Sequence, residues 1–203
     1  MSEENFLPDL SVSLLERSFP RTFQLFSERE SKRIASEFRL RDPKELHRFP
    51  AYLEGKKWLS ARAFVPDLAK LELSLKLAAV APDVERSGFE GVSTAHEPAW
   101  YSARFTFDPA HRILESDWPL GEVFASPLSA HSPKTSTLLI YRSEGKAQFR
   151  ELDENETLLI QSLALGVPLG RVLEKNRGPD FDAMTFHRWI ESGLLRSIMW
   201  APV

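Results

Sequence analysis

The sequence predicts an α+β protein, with an N-terminal helical unit followed by a winged-helix-like unit that carries a small antiparallel sheet. The stretch from Ser136 to Arg150 has two runs rich in β-branched and aromatic residues around Ser-Glu-Gly-Lys, which is typical of a β-hairpin. Three short helical patterns and a closing apolar run follow it, and residues before it have helical periodicity. We therefore expect a helical domain at 1–82, a linker at 83–98 and the winged-helix-like domain at 99–203.

Several helices of the predicted helical domain begin at recognisable start signals. Ser27 and Glu30 have the spacing of a capping box, and Asp42-Pro43 pairs an acidic cap with a proline at the first helical position. The longest helical pattern runs from Val65 to Ala79. Its apolar stripe comprises Leu68, Leu71, Leu75 and Ala78, and Leu73 and Leu77 widen it.

The second domain begins after an irregular stretch from Pro82 to Pro98. Ala99 to Phe107 alternates in polarity and is predicted as a strand, and Asp108-Pro109 could open a short helix. After the hairpin, Asp153 is the predicted cap of the first closing helix. Gly166 and Pro168 end that helix and start the second, and Asp182 and Gly193 bound the third. Ser197 to Trp200 is expected to return as a strand beside the hairpin.

Composition limits the classes of function. The chain has 203 residues, 42% of them hydrophobic, a net charge of −3 and a pI near 6.0, which describes an ordinary globular protein. No apolar run approaches the ~18 residues of a membrane span, and no signal peptide is recognisable. The absence of cysteine excludes disulfides, thiolate metal sites and a cysteine nucleophile. We expect a cytoplasmic protein without a membrane partner.

The charge of the closing helices disfavours nucleic acid. From Glu151 onward eight acidic residues face five basic ones, whereas DNA-binding domains usually have a basic stripe that neutralises phosphates. Arg171, Lys175 and Arg177 form a small cluster near the second helix. A DNA-binding regulator therefore stays as the alternative function.

No motif predicts catalysis by this chain. The five histidines are scattered, and pairs such as His96 with Glu97 or His111 near Asp108 do not have the short spacing of a metal site. Nucleophile-elbow, phosphate-loop and dinucleotide motifs are absent. We predict no catalytic residue, metal ligand or cofactor here, while a stand-alone enzyme with a site built from distant residues stays open.

From about Tyr52 onward the chain resembles the HvfC/BufC family of peptide-modification accessory proteins, formerly described as DNA-binding proteins. The matching pieces are PAYLEGKKW with VPDLAKLELSLKLA, FDPAHRILESDWPLGEVF, the hairpin and first closing helix from TLLIYRSEGK to GRVLE, and WIESGLL. In order and spacing they cover roughly three quarters of the chain. The short region before Tyr52 is similar to the compact members that serve methanobactin biosynthesis.

The resemblance implies an accessory subunit that forms a heterodimer with a multinuclear non-heme iron oxidative enzyme. The pair would modify cysteines of a small ribosomally made precursor peptide, in a methanobactin-type or related copper-binding peptide pathway. The accessory subunit would hold the precursor's leader, and the iron would belong to the partner.

An exposed strand edge can capture such a leader as an added strand. The candidate edges are Ser136 to Arg142, Lys146 to Arg150 and Trp100 to Phe107. The predicted peptide-binding residues are Leu138, Ile140, Arg142, Lys146 and Arg150. Leu138 and Ile140 could equally be core, whereas the three cations are expected to face outward, towards an acidic leader or only towards solvent.

The turn at Trp118-Pro119 is the predicted contact with the iron enzyme, because aromatic anchors are enriched at interfaces. The competing interpretation is that Trp118 covers the junction between the two domains.

Overall fold

The computed structural model describes residues 8–38, 40, 42–90, 92, 97–175 and 183–200 and confirms the α+β class. Within those residues the helices are α1 (Pro8–Ser18), α2 (Pro20–Phe23), α3 (Glu28–Glu37), α4 (Phe49–Glu54), α5 (Val65–Ala79), α6 (Glu97–Ser102), α7 (Leu120–Ala125), α8 (Glu154–Ala164), α9 (Leu169–Lys175) and α10 (Ala183–Glu191). Two 3₁₀ helices cover Pro43–Arg48 and Lys57–Arg62. The strands are β1 (Arg104–Phe107), β2 (Arg112–Ser116), β3 (Ser136–Ser143), β4 (Lys146–Leu152) and β5 (Leu195–Met199).

The chain divides into two compact units. The first contains the described residues up to Lys76 together with Leu114–Ser136, and the second contains Leu77–Ile113 and the residues from Thr137 onward. This division differs from the predicted boundaries, because Leu114–Ser136 belongs with the N-terminal helices. Ser116 Oγ donates to Asp67 Oδ2 at 2.7 Å, and Val123 is fully buried in the first unit's core.

The first unit follows most of its sequence signals. Ser27 Oγ accepts from the Glu30 N–H while the Glu30 carboxylate accepts from the Ser27 N–H, so the capping box is confirmed. Asp42 caps its helix as predicted, but that helix is 3₁₀ rather than α. The long helix has the predicted bounds of Val65–Ala79.

Glu72 is a buried acidic residue in the middle of that long helix. Its carboxylate accepts hydrogen bonds from the N–H groups of Arg21 and Thr22 at 2.7 and 2.9 Å, and from Thr22 Oγ1 at 2.7 Å. These donors belong to the first turn of α2, so Glu72 caps a neighbouring helix. Burial raises the pKa of Glu72 despite these bonds. The helical periodicity of α5 carries no sign of this role.

The second unit contains the predicted hairpin. β3 and β4 pair antiparallel around a two-residue turn, in which Glu144 and Gly145 have φ values of 51° and 75°. Positive φ at both central residues is the type I′ geometry that matches the twist of paired strands. The described strands form a sheet of order β2–β3–β4 and a separate ribbon of β1 and β5.

Three predictions for the second unit were wrong at least in part, although Arg104–Phe107 and the closing segment do form strands. The N-terminal half of the predicted strand Ala99–Phe107 lies in α6, where Pro98 fits the first helical turn. The Asp108-Pro109 helix is a turn, because Asp108 Oδ1 accepts from the Ala110 N–H at 2.7 Å and closes a local loop. The closing strand pairs with β1 rather than with the hairpin, with Phe105 opposite Ile198.

The described part of the predicted linker packs within the second unit. The Ser87 N–H donates to the Arg196 carbonyl at 3.0 Å, and the Ile198 N–H donates to the Ser87 carbonyl at 3.2 Å. Gly88 has a φ of 79°, and a Cβ there would lie 2.1 Å from the Ile198 carbonyl oxygen. This segment therefore extends the β1–β5 ribbon by one bridge.

Among the residues that the structure describes, no helix has both the length and the apolar character to cross a membrane.

Candidate functional site

Among the described strands, the outer side of β4 is an open sheet edge. β4 is the last strand of the order β2–β3–β4, and no other described strand pairs with it. Ser143 and Lys146 flank the two-residue turn and form the first hydrogen-bonded pair of the hairpin. Non-hydrogen-bonded and hydrogen-bonded pairs then alternate along β4. The backbone N–H and C=O groups of Ala147, Phe149 and Glu151 therefore point towards the open side. The Glu151 carbonyl also accepts from Arg150 Nη1 at 3.5 Å, so the outward groups that an added strand would pair with first are those of Ala147 and the N–H of Glu151.

A cleft of about 650 Å³ lies in the second unit, against the face of the hairpin that carries Arg150. Its apolar walls come from Leu139, Tyr141, Leu159, Leu173, Trp189 and Leu194. Its polar walls come from Arg150, Asp153, Asn155, Glu156, Thr185, Arg188, Glu191 and Ser192. Strand β4, the start of α8 and helix α10 thus share one concave surface, and small-molecule and side-chain sites usually have this mixture of apolar walls and a few polar groups.

An ion pair joins the strand edge to the helices. Arg150 Nη1 donates to Glu156 Oε2 at 2.7 Å, and Arg150 Nη2 donates to the other carboxylate oxygen. The Trp189 Nε1–H also donates to Glu156 Oε1, at 3.3 Å. The hydrogen bonds to Glu156 raise the pKa of Arg150, so this guanidinium stays charged.

The start of α8 follows its sequence signal only in part. Asp153 accepts from the Glu156 N–H at 2.7 Å, which confirms the predicted cap. The Glu156 side chain, which would close a capping box, turns to Arg150 and Trp189 instead. A residue with a standard role at a helix start is therefore part of the cleft.

Arg142 corrects the expectation of an outward-facing cation. Only 9% of its side chain is exposed, and its guanidinium donates to the carbonyls of Ala81 and Pro82 at 2.6 and 3.2 Å. It also pairs with Asp83 at 2.7 Å and lies 3.8 Å from the fully buried carboxylate of Asp108. Arg142 is a structural residue of the second unit and is not available to a peptide.

The other predicted peptide-binding residues divide between the core and the strand edge. Leu138 and Ile140 are fully buried, as the competing interpretation expected, so they cannot contact a ligand directly. Lys146 is exposed, and Arg150 is half-buried in the cleft wall. Both lie on β4, an outer strand of the described sheet, whereas the predicted edge Ser136 to Arg142 lies on β3 between two strands and is not an edge.

Trp118 and Pro119 pack inside the first unit. The Trp118 ring meets the Phe64 ring edge-on, with centroids 5.6 Å apart, and it packs against the helical core. Pro119 is buried. This packing leaves little of the turn for an enzyme to contact, so we do not retain it as the docking site.

The histidine pairs from the sequence form no metal site where they can be assessed. His111 is half-buried, its Nδ1 lies 2.7 Å from the Asp108 carbonyl oxygen, and burial lowers its pKa. No group of three or more metal-ligating side chains occurs in the described parts of the chain. His96 and Asp182 lie outside the described residues.

No protein-family model and no curated protein matches the sequence. The resemblance to peptide-modification accessory proteins therefore stays a prediction.

The sequence did not reveal two members of the site, Glu156 and Trp189. Glu156 has the pattern of a helix start, and Trp189 has the spacing of a core residue, which it also is at 2% exposure. Only the folded chain brings the Trp189 ring N–H to the Glu156 carboxylate, 33 residues earlier in sequence.

Proposed function

We propose that this chain is a non-catalytic accessory subunit that binds an extended peptide along the outer edge of β4. The observation that carries the proposal is the outer edge of β4, which no other described strand pairs with, beside a cleft of about 650 Å³. An added strand would obtain main-chain hydrogen bonds from the edge. Alternate side chains of that strand would lie on the cleft side, where they can be selected.

The role in a larger complex rests on the resemblance. We propose that the bound peptide is the leader of a ribosomally made precursor, and that a partner multinuclear non-heme iron enzyme modifies its cysteines in the cytoplasm. In this arrangement the iron belongs to the partner, and the chain described here supplies peptide binding and orientation. Holding a substrate in position is a sufficient contribution for such a subunit, since orientation alone lowers reaction barriers substantially.

Peptide capture is tested by selecting a displayed library of random dodecapeptides against the full chain. Enriched peptides should lose affinity for the Ala147→Pro variant, which removes one outward N–H at an edge position where proline is tolerated. Ala147→Val keeps that N–H and is the matched control. If nothing is enriched, or if the enriched peptides bind Ala147→Pro as well as the native chain, the edge is not the peptide site.

The iron partnership is tested by purifying the tagged chain from its native cells. We expect a stoichiometric second protein with bound iron, and we expect cysteine modification of a precursor only when both proteins are present. Purification without an iron protein, or turnover by the chain alone, contradicts this part of the proposal. Salt-sensitive retardation of duplex DNA at physiological ionic strength would instead support the regulator.

A further inference from the structure

We propose that the segment bound at the β4 edge is basic and inserts one large apolar side chain into the cleft. This inference rests on the proposed function and names its class of ligand. It also reverses the sequence-based expectation of an acidic leader, which depended on Arg142, Lys146 and Arg150 all facing outward; Arg142 is buried and Arg150 pairs with Glu156.

The charge around the described edge and cleft is predominantly negative. β4 with its turn, the first turn of α8 and the cleft walls contain three basic residues, Lys146, Arg150 and Arg188. The same surfaces contain six acidic residues, Glu144, Glu151, Asp153, Glu154, Glu156 and Glu191. Because Arg150 and Glu156 neutralise each other, five carboxylates face two cations.

Helix electrostatics account for only part of this excess. Asp153 and Glu154 lie where a helix N-terminus favours carboxylates. Glu144 in the hairpin turn, Glu151 on β4 and Glu191 at the end of α10 have no such reason to be acidic, and all three are exposed. A ligand with lysine or arginine side chains would give these carboxylates opposite charges to meet.

Glu151 is placed to read charge from an added strand. It lies at a position whose backbone groups point to the open side, so the residue directly opposite it on a bound segment would be its cross-strand neighbour. Opposite charges at such positions are favourable, and like charges are not. We therefore expect lysine or arginine opposite Glu151.

The cleft supplies the apolar half of the recognition. Arg150 lies on the face of β4 that lines the cleft, so every second side chain of an added strand projects towards this face. Tyr141 and Leu173, the partly exposed apolar residues of the lining, suit a leucine or an aromatic side chain. A volume of about 650 Å³ is large enough for such a side chain.

The charge preference is tested with three fluorescein-labelled nonapeptides of the sequence Thr-X-Val-X-Phe-X-Val-X-Thr. X is lysine in the first peptide, glutamine in the second and glutamate in the third. By anisotropy at low salt, the lysine peptide should bind at least about tenfold more tightly than the glutamate peptide, and the difference should shrink as salt rises. The double variant Glu151→Lys, Glu154→Lys should reverse the order. Glu16→Lys with Glu122→Lys makes the same change in net charge on exposed positions of the first unit and should not reverse it.

The outcomes separate this inference from the proposed function. A glutamate peptide that binds more tightly, and that loses affinity for Ala147→Pro, contradicts the basic ligand but keeps the edge site. Binding of none of the three peptides, or binding that is insensitive to Ala147→Pro, contradicts both.

Occupation of the cleft is tested with Thr185→Trp, which fills the cleft from its α10 wall. The lysine peptide should bind this variant about tenfold more weakly, whereas the same peptide with alanine in place of phenylalanine should not distinguish it from the native chain. His187→Trp introduces the same side chain at an exposed position of α10 that does not line the cleft, and it should bind normally. Equal affinity of Thr185→Trp and the native chain for the lysine peptide would place the apolar side chain elsewhere, and circular dichroism checks that both variants are folded.

Discussion

Arg142 is held by groups that are remote from it in sequence. The carbonyls that accept its hydrogen bonds are about 60 residues earlier, and the buried carboxylate of Asp108 also accepts from Arg196. In the sequence, an arginine at the end of an apolar strand looks the same whether its side chain is exposed to solvent or paired with a buried carboxylate. The sequence therefore predicted the strand correctly and the environment of this residue wrongly.

Replacing Arg142 with methionine should destabilise the second unit. The variant keeps most of the side-chain volume but leaves the Ala81 and Pro82 carbonyls without their donor and Asp108 with one guanidinium fewer. We expect the free energy of unfolding to fall by about 2–4 kcal/mol in urea denaturation. Lys146→Met, an exposed change on the same hairpin, should stay within about 0.5 kcal/mol of the native value, and a comparable loss in both variants would contradict the buried role.

Glu37 should make the stability of the chain depend on pH in the acid range. Hydrogen bonds from Lys56 at 2.6 Å, Arg33 at 2.7 Å and Tyr52 at 3.0 Å lower its pKa from 4.5 to about 2. Since the folded pKa lies below the unfolded one, its contribution is present above pH 4.5 and is lost as the pH falls towards 2. In urea unfolding at several pH values, the free energy of unfolding should fall less over this interval in Glu37→Gln than in the native chain. Glu16→Gln is the control, and identical pH profiles for Glu37→Gln and the native chain would refute the assignment.

At the scale of elements, the hairpin is predictable because its information is local. The turn residues and the alternating strands are contiguous in sequence, and the observed register follows from a two-residue turn. The partner of β5 is not predictable in this way, since β1 lies about 90 residues earlier in the sequence. Pairing with β1 and pairing with the hairpin would both cover the apolar face of β5. The cleft is likewise assembled from five elements, so neither its volume nor the contact of Glu156 with Arg150 is visible in any single pattern.

The hairpin turn should become more stable when Glu144 is replaced with asparagine. Glu144 has a φ of 51°, a conformation that costs non-glycine residues about 1 kcal/mol and that asparagine adopts more readily. We expect Glu144→Asn to raise the free energy of unfolding by up to about 1 kcal/mol. Gly145→Ala should lower it by about 1 kcal/mol through backbone strain alone, because the space around Gly145 is open. A loss of stability in Glu144→Asn would contradict the type I′ turn.

At the scale of the whole molecule, a ligand that adds a strand to the native chain should stabilise it. A peptide present at 100 times its dissociation constant should raise the apparent free energy of unfolding by about 2.7 kcal/mol, provided that it binds only the folded chain. Denaturation with and without a peptide from the displayed library measures this rise. Ala147→Pro should show almost no rise at the same concentration, and an equal rise in both proteins would mean that the peptide binds somewhere other than β4.

Amide hydrogen exchange measured by NMR tests the strand-addition site most directly. On binding of a selected peptide, the amides of Ala147, Phe149 and Glu151 should become strongly protected, because they gain partners on the open side of β4. The amides of Gln148 and Arg150 already donate to β3 and should change much less. Protection that appears at other strands, or that does not alternate along β4, would contradict a peptide bound at this edge.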